Sequence, residues 1–311
     1  MTEASRLQIG VTLTSAFIGE EVGVTPRAVL HAAADAGVDF VQIGDHVSFH
    51  DGTGFDGLLH AAVALAGQES VPVRVGLYLL ALRHPVLVAR QLADLARLFP
   101  GRLALGVGVG GEDRHEFEVS GVDPVTRGRR TDEALTLLGE LLTGESTTFE
   151  GEFFNVREAL VRPAPTQRIP ILVGGRSRAA LRRAAIHGDG WLALWTSSER
   201  FAAAVSEVAS FAEQAGRSVD EWQHGLVLWC ATPGADGRGG ARLAETMQQR
   251  YKIPFEKFSR WCPVGPPDEL ADRVREYAAA GCSHVSVTLP AGSPLETIEV
   301  AAEVRQAIAP E

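Results

Sequence analysis

Four titratable side chains, Asp45, His46, His50 and Asp51, fall within seven residues directly after the apolar run Val41-Gln42-Ile43. A histidine is the side chain best suited to moving a proton near neutral pH, and a neighbouring carboxylate can set its orientation and charge. Asp45-His46 is therefore a candidate catalytic acid/base unit. Adjacency in the chain does not bring two side chains together, so an Asp that caps a loop beside an incidental His is the competing reading. His46 and His50 also raise the question of a metal. No HExxH helix or carboxylate cluster accompanies them, and no metal is expected. His50 and Asp51 read as a solvated turn.

Two glycine-rich stretches carry the other chemistry. Gly106-Val107-Gly108-Val109-Gly110-Gly111-Glu112 satisfies GxGxxG formally. A dinucleotide fingerprint belongs after the first strand of its unit, with an acid about twenty residues further on. Here the stretch follows the fourth strand-like run, and Asp132 falls inside a helical pattern. Gly108 and Gly110 instead let a strand end turn, or offer a Cβ-free surface for a flat ring. Glu112 leaves this stretch either as a polar ligand or as a solvated loop acid. Ile171-Leu172-Val173-Gly174-Gly175-Arg176-Ser177 ends a strand-like run in two glycines just before a helix. Unobstructed N–H groups at a helix start, with Arg176 beside them, favour a phosphate pocket over a plain turn capped by Ser177. His84, in Arg83-His84-Pro85, reads as a helix cap. Arg127-Gly128-Arg129-Arg130, ahead of Asp132-Glu133, reads as a salt-bridged helix start.

These groups need strands to deliver them. Strand-like runs occur at Leu7–Leu13, Val38–Ile43, Val73–Leu80, Leu103–Val109, Ile169–Val173, Trp191–Leu194, Gly225–Ala231 and Val285–Leu289. Helical patterns alternate with them: Pro26–Ala36, Phe55–Gly67, Pro85–Leu98, Arg129–Leu142, Arg178–His187, Glu199–Ala215, Ala241–Gln249, Pro267–Ala280 and Pro294–Ile308. Eight alternations in one chain predict a (β/α)8 TIM barrel, with an open doubly wound sheet as the alternative. The expected organisation is a single domain over residues 1–311. Insertions fall at about 144–166, where Glu150-Gly151 suggests a hairpin, and at about 232–262. In such barrels the residues just after each strand meet at one rim, which is where Asp45 and His46 would emerge.

The 311 residues carry 39 acids against 29 lysines and arginines, a formal charge of −10, which argues against nucleic-acid binding. No apolar run reaches membrane-spanning length, and no signal-peptide pattern precedes Leu7, so a cytoplasmic protein is expected. Cys230, Cys262 and Cys282 lack CxxC spacing and read as buried free thiols.

The chain resembles the luciferase-like monooxygenase superfamily, and within it the branch that uses the deazaflavin coenzyme F420. The resemblance rests on an ordered set of segments: Gly37-Val38-Asp39 to Gly44-Asp45-His46, Arg74-Val75-Gly76-Leu77 to Arg83-His84-Pro85, and Gly101–Gly110. It continues through Gly121-Val122, Arg127–Glu133, Pro170–Gly175 and Gly188-Asp189-Gly190-Trp191. It implies a luciferase-like TIM barrel with coenzyme F420 at the rim and hydride transfer to or from a small-molecule substrate. His46 would be the acid/base, Asp45 would support the coenzyme, and Glu112 would be a second polar group. Leu79 and Leu80 would belong to a bulge near Tyr78-Leu79-Leu80 that often contains a cis peptide. Gly108 and Gly110 would lie against the ring, and Gly174, Gly175, Arg176 and Ser177 would take the phosphate. Phe49–Phe55 and the insertion through Trp261 would line the substrate pocket. A homodimer is implied as well. An FMN-dependent monooxygenase and a non-catalytic ligand-binding barrel are the alternative readings.

Overall fold

The computed structural model describes residues 6–13, 24–219 and 221–309. In chain order the elements begin with β1 (Gln8–Thr12), α1 (Pro26–Asp35), β2 (Val41–Ile43), β3 (His46–Phe49), β4 (Thr53–Phe55) and α2 (Gly57–Gly67). Then come β5 (Val73–Tyr78), α3 (Pro85–Leu98), β6 (Leu103–Val107), α4 (His115–Val119), α5 (Arg127–Leu141), β7 (Thr147–Glu150) and β8 (Asn155–Ala159). The remainder is β9 (Ile171–Gly174), α6 (Arg178–His187), β10 (Gly190–Leu194), α7 (Ser198–Gln214), β11 (Gly225–Trp229), α8 (Gly239–Tyr251), α9 (Pro267–Ala279), β12 (His284–Thr288) and α10 (Pro294–Ile308).

Eight strands close a parallel barrel in the order β1-β12-β11-β10-β9-β6-β5-β2, with β2 returning to β1. Their near-continuous apolar runs follow from burial on both faces, between barrel interior and helices. Side-chain caps start many of the helices. Asp56 accepts the Leu59 amide ahead of α2, Ser177 accepts Ala180 ahead of α6, and Ser197 accepts Arg200 ahead of α7. His84 caps α3 by accepting the Val86 amide, as its place before Pro85 suggests.

Glycines in the strands make room for large neighbours. A Cβ on Gly10 would lie 2.5 Å from the Phe40 ring, and one on Gly225 would lie 1.9 Å from His284 Nε2. The Gly188-Asp189-Gly190-Trp191 turn has a similar reason. A Cβ on Gly190 would sit 1.8 Å from the Gln223 carbonyl oxygen, while Asp189 accepts the Ile171 amide at 2.9 Å.

β7 and β8 form the expected hairpin, whose turn is pinned by Glu133 accepting the amides of Glu152 and Phe153. The arginine run at the start of α5 also serves structure: Arg130 donates to the Ala81 carbonyl at 2.7 Å, and Asp132 pairs with Arg183. The second insertion folds as α8 followed by two 3-10 turns, Phe255–Lys257 and Ser259–Trp261. Among the described residues no helix is long and apolar enough to cross a membrane. All three cysteines are buried and free.

Candidate active site

The stretch after β2 folds as a hairpin, and the exposed turn expected at His50 and Asp51 is its tip. His46–Phe49 and Thr53–Phe55 pair as an antiparallel hairpin, His46 facing Phe55 and Phe49 facing Thr53. His50-Asp51-Gly52 form a three-residue hairpin turn, with Gly52 at φ +89° and Asp51 accepting the Thr53 amide at 3.1 Å. His50, itself at φ +47°, donates its amide to Asp113 at 2.7 Å. The hairpin is thus tied to the loop after β6.

That loop leads into α4, which brings the principal partner of His46. Nδ1 of His46 lies 3.1 and 3.2 Å from the two carboxylate oxygens of Glu116, which is buried. Glu116 also accepts the Val47 amide at 2.7 Å and the Ser48 amide at 3.3 Å. Burial pushes the Glu116 carboxyl up, but His46 and the two amides outweigh it and hold it below its usual range. An ionised carboxylate only accepts, so the Nδ1 position carries the proton. Nε2 has no partner among the described residues, and the side chain is 27% exposed. The ring packs on Phe49 at 4.1 Å between centroids and meets Phe55 edge-on at 5.9 Å. Glu112, four residues before Glu116, is exposed and does not join this pair.

Asp45 points elsewhere. Its side chain is fully buried and takes both Arg83 nitrogens, at 2.5 and 2.7 Å. It also accepts the amides of Gly57 and Leu79, each at 2.9 Å. Burial raises the Asp45 carboxyl against the pull of Arg83, and Asp45 in turn holds the Arg83 guanidinium above its usual range against burial. The bidentate geometry is that of an ion pair. With both oxygens engaged inside the protein, Asp45 ties the loop after β2 to the end of β5 and faces no ligand directly.

The β5 bulge falls two residues earlier than Tyr78-Leu79-Leu80. Val75 pairs with Leu105 and Tyr78 with Val107, so three steps on β5 oppose two on β6, and one residue is extra. The Gly76–Leu77 peptide there is cis. Leu79 and Leu80 point into the core, while Leu77 stays half-buried at the barrel mouth. Leu77 also explains Gly108, just after β6, and Gly174, at the end of β9. An added Cβ would lie 2.9 Å from Leu77 Cβ at Gly108 and 2.2 Å from Leu77 Cδ1 at Gly174. Their Cβ-free surface is filled first by this side chain. Gly110, at φ +59°, makes the turn beside Phe117 and Leu79.

Gly175 has φ +119°, and its carbonyl accepts the Trp191 indole N–H at 2.7 Å. Beyond it, Arg176, Ser177, Arg178 and Ala179 are exposed. Ser177 takes the Ala180 amide, and the amides of Arg178 and Ala179 have no helical acceptor, so backbone donors, the helix dipole and a guanidinium converge where an anion would sit. The residues present fit a phosphate-bearing cofactor.

An aromatic wall completes the rim. Phe49 meets Tyr251 at 6.2 Å, and Tyr251 packs on Trp195, Trp229 and Phe258 at 4.9, 5.6 and 5.6 Å. The insertion ending at Trp261 therefore reaches the His46 hairpin. The indole N–H groups of Trp195 and Trp229 are buried without an acceptor among the described residues. Glu116, Arg83, Leu77 and Tyr251 escaped the sequence reading as site residues. Arg83 directly precedes the His84 cap and Pro85, and its reach to Asp45 depends on the fold. Nothing in the spacing of Glu116 marks it, because its partner lies 70 residues away.

The luciferase-like monooxygenase family model matches residues 24–233. An uncharacterized protein of Mycobacterium tuberculosis is 38% identical over 172 residues, 55% of this chain and 59% of that protein. The aligned segment thus spans little more than half of that relative. An F420-dependent glucose-6-phosphate dehydrogenase of Nakamurella multipartita is 29% identical across 87% of this chain and 88% of its own. Among solved structures, an F420-dependent secondary alcohol dehydrogenase in complex with an F420-acetone adduct superposes with a TM-score of 0.83. It covers 98% of this chain and 100% of its own at 19% identity, a likeness of fold. With a closed eight-stranded parallel barrel and a family match over two-thirds of its length, the chain belongs to the luciferase-like monooxygenase family.

Proposed function

We propose that this protein is a coenzyme F420-dependent oxidoreductase acting on a small hydroxyl or carbonyl compound. The observation that carries the reading is the His46–Glu116 pair at the barrel mouth, with Nδ1 held and Nε2 without a partner among the described residues. Its relatives named for F420 chemistry and the phosphate cradle at Gly174-Gly175-Arg176-Ser177 support it.

When bound, the deazaflavin supplies the hydride acceptor or donor, and the protein supplies binding, orientation and proton handling. Nε2 of His46 takes the hydroxyl proton when an alcohol is oxidised and returns it in the reverse direction. Glu116 stabilises the imidazolium and keeps the ring in the right tautomer. Asp45, through Arg83 and the Leu79 amide, positions the bulge that carries Leu77. Leu77, Gly108 and Gly110 form the floor of the coenzyme site, and the first turn of α6 with Arg176 receives its phosphate. Phe49, Tyr251 and Trp195 exclude water. A cytoplasmic homodimer is part of the same reading.

The test is a fluorescence titration of the protein with oxidised coenzyme F420 and, in parallel, with FMN, followed by alcohol and carbonyl turnover assays. Tight saturable binding of the deazaflavin with turnover that collapses in His46→Ala is the expected result. Preference for FMN would replace the reading with oxygen-dependent chemistry. Turnover indifferent to His46→Ala would remove His46 from the mechanism, and binding of neither flavin would leave a non-catalytic barrel.

A further inference from the structure

Beside the phosphate cradle lies a cleft of about 420 Å³ between the N-terminal ends of α6 and α7 and the Ser259–Trp261 turn. Arg176, Arg200 and Arg260 line it, together with Trp195, Ser197 and Trp261. About half of the arginines elsewhere pair with carboxylates, as in Arg178–Glu207, Arg242–Asp236 and Arg273–Glu276, and the unpaired ones do not gather in a concavity as these three do. None of the three cleft arginines has a carboxylate within 4.0 Å among the described residues. Among the described residues Arg176 donates only to the Trp195 carbonyl, at 3.4 Å. Its guanidinium carbon sits 5.8 Å from the Trp261 ring, and that of Arg260 sits 4.0 Å from the same ring. Glu199, the acid next to Arg200 in the chain, faces Ser197 and Arg273 instead.

Uncompensated positive charge converging on one concavity, in a chain with ten more acids than bases, is what an anionic ligand requires. Arg200 lies in the first turn of the seventeen-residue α7, so the dipole of that helix adds to the field. Trp195 is 7% exposed, and its buried indole N–H finds no acceptor among the described residues. The volume is in the range that holds small ligands and exceeds what one phosphate fills.

The geometry points to a second anion subsite, in which Arg200 and Arg260 hold the glutamate carboxylates that extend beyond the phosphate of the coenzyme. This rests on the coenzyme F420 reading above. Arg176 belongs to both subsites: it closes the phosphate cradle and opens the cleft, so a chain leaving the phosphate enters between the two other guanidiniums. Trp261 is the plate on which Arg176 and Arg260 are held apart from acidic partners. The tail is bound by charge at an open surface, so its grip is modest and falls with salt.

The test uses the whole protein and three deazaflavins: one without phosphate, one with phosphate and no glutamate, and one with several glutamates. Exposed carboxylate–guanidinium pairs contribute about 0.2–1 kcal/mol each, so the glutamates should tighten binding about tenfold at low salt. The gain should shrink in 0.5 M salt, where the Debye length falls to about 4 Å from about 30 Å at 0.01 M. Arg200→Gln with Arg260→Gln should abolish the gain, while Arg242→Gln with Arg275→Gln, which removes an equal charge outside the cleft, should keep it. Equal affinity with and without glutamates, or a gain that survives the double substitution, would overturn the tail subsite and leave the coenzyme reading standing. A double variant that loses affinity for a sugar phosphate instead would assign the cleft to a substrate. If the wild-type protein binds none of the three deazaflavins, the coenzyme reading fails first and the tail subsite with it.

Discussion

Glu116 holds Nδ1 of His46 at 3.1 Å while accepting the amides of Val47 and Ser48, so one buried carboxylate fixes both the ring and the strand that carries it. The pair spans the β3–β4 hairpin and α4, two segments that share no barrel strand. Its geometry is that of a base oriented by a carboxylate, the arrangement by which a histidine is given one tautomer and a stabilised cationic form.

Glu116→Gln should therefore lower kcat at least tenfold while leaving coenzyme affinity within about twofold, since an amide oxygen still accepts from the backbone but no longer balances an imidazolium. Glu116→Asp, which keeps the charge, should recover part of the loss. Steady-state kinetics paired with a coenzyme titration reads the split. A fall in Tm that accounts for the whole activity loss in both variants would reduce Glu116 to a cap on the hairpin.

Arg83→Met should destabilise the protein by about 3–5 kcal/mol, because it leaves the fully buried Asp45 carboxylate without its counter-ion. Arg83→Met combined with Asp45→Asn should be less harmful than Arg83→Met alone, since the uncompensated charge is gone. Urea unfolding of the two single variants and the double variant gives the coupling directly. Strict additivity would mean that the bidentate pair does not anchor the loop.

Much of the barrel was legible in the sequence because parallel strands are buried on both faces and several read as unbroken apolar runs, as in Leu103–Val107 and Gly190–Leu194. Caps such as Ser177 and His84 were legible because their chemistry is local. The hairpin at His46–Phe55 was not read, since its strands are three and four residues long and only partly apolar. The Asp51-Gly52 pair in its turn was the available signal. The bulge position depends on which β5 residue lacks a partner on β6, a property of the pairing and not of Gly76-Leu77 alone. Glu116 was hidden for the same reason: an acid in Asp113–Glu118 becomes a partner of His46 only when two loops meet.

Gly174→Ala should cost about 1–3 kcal/mol by overpacking, because the new methyl would lie 2.2 Å from Leu77 Cδ1 and 3.0 Å from its Cγ. Shortening the obstacle should relieve it: Leu77→Ala with Gly174→Ala should be more stable than the sum of the two single effects. Coenzyme affinity should follow the same order if Leu77 forms the floor of its site. A double variant with additive losses would show that Leu77 moves aside freely and does not fill the glycine surface.

His224 and His284 set the acid limit of stability. Burial pushes the His224 imidazole down to about 4 and, with Arg74 and His224 nearby, holds His284 well below its ordinary value of 6.5. Both rings are therefore neutral in the folded protein at pH values where the unfolded chain protonates them. Their stabilising contribution is complete above pH 6.5 and is lost as pH falls from 6.5 toward 4. At 1.36 kcal/mol per unit, His224 alone accounts for about 3 kcal/mol across that window. Glu116, whose carboxyl is held below 4.5, adds its own loss only at lower pH, so the two effects separate. Urea midpoints measured every half unit from pH 7 to 4 should show wild-type stability falling from about pH 6.5. His224→Gln, which removes one titrating ring yet offers an acceptor for the Trp191 amide that His224 Nδ1 now takes at 3.2 Å, should fall with a shallower slope. Parallel slopes for the two proteins would mean that His224 stays solvated enough to protonate in the folded state, and the acid sensitivity would then belong to His284 and the carboxylates.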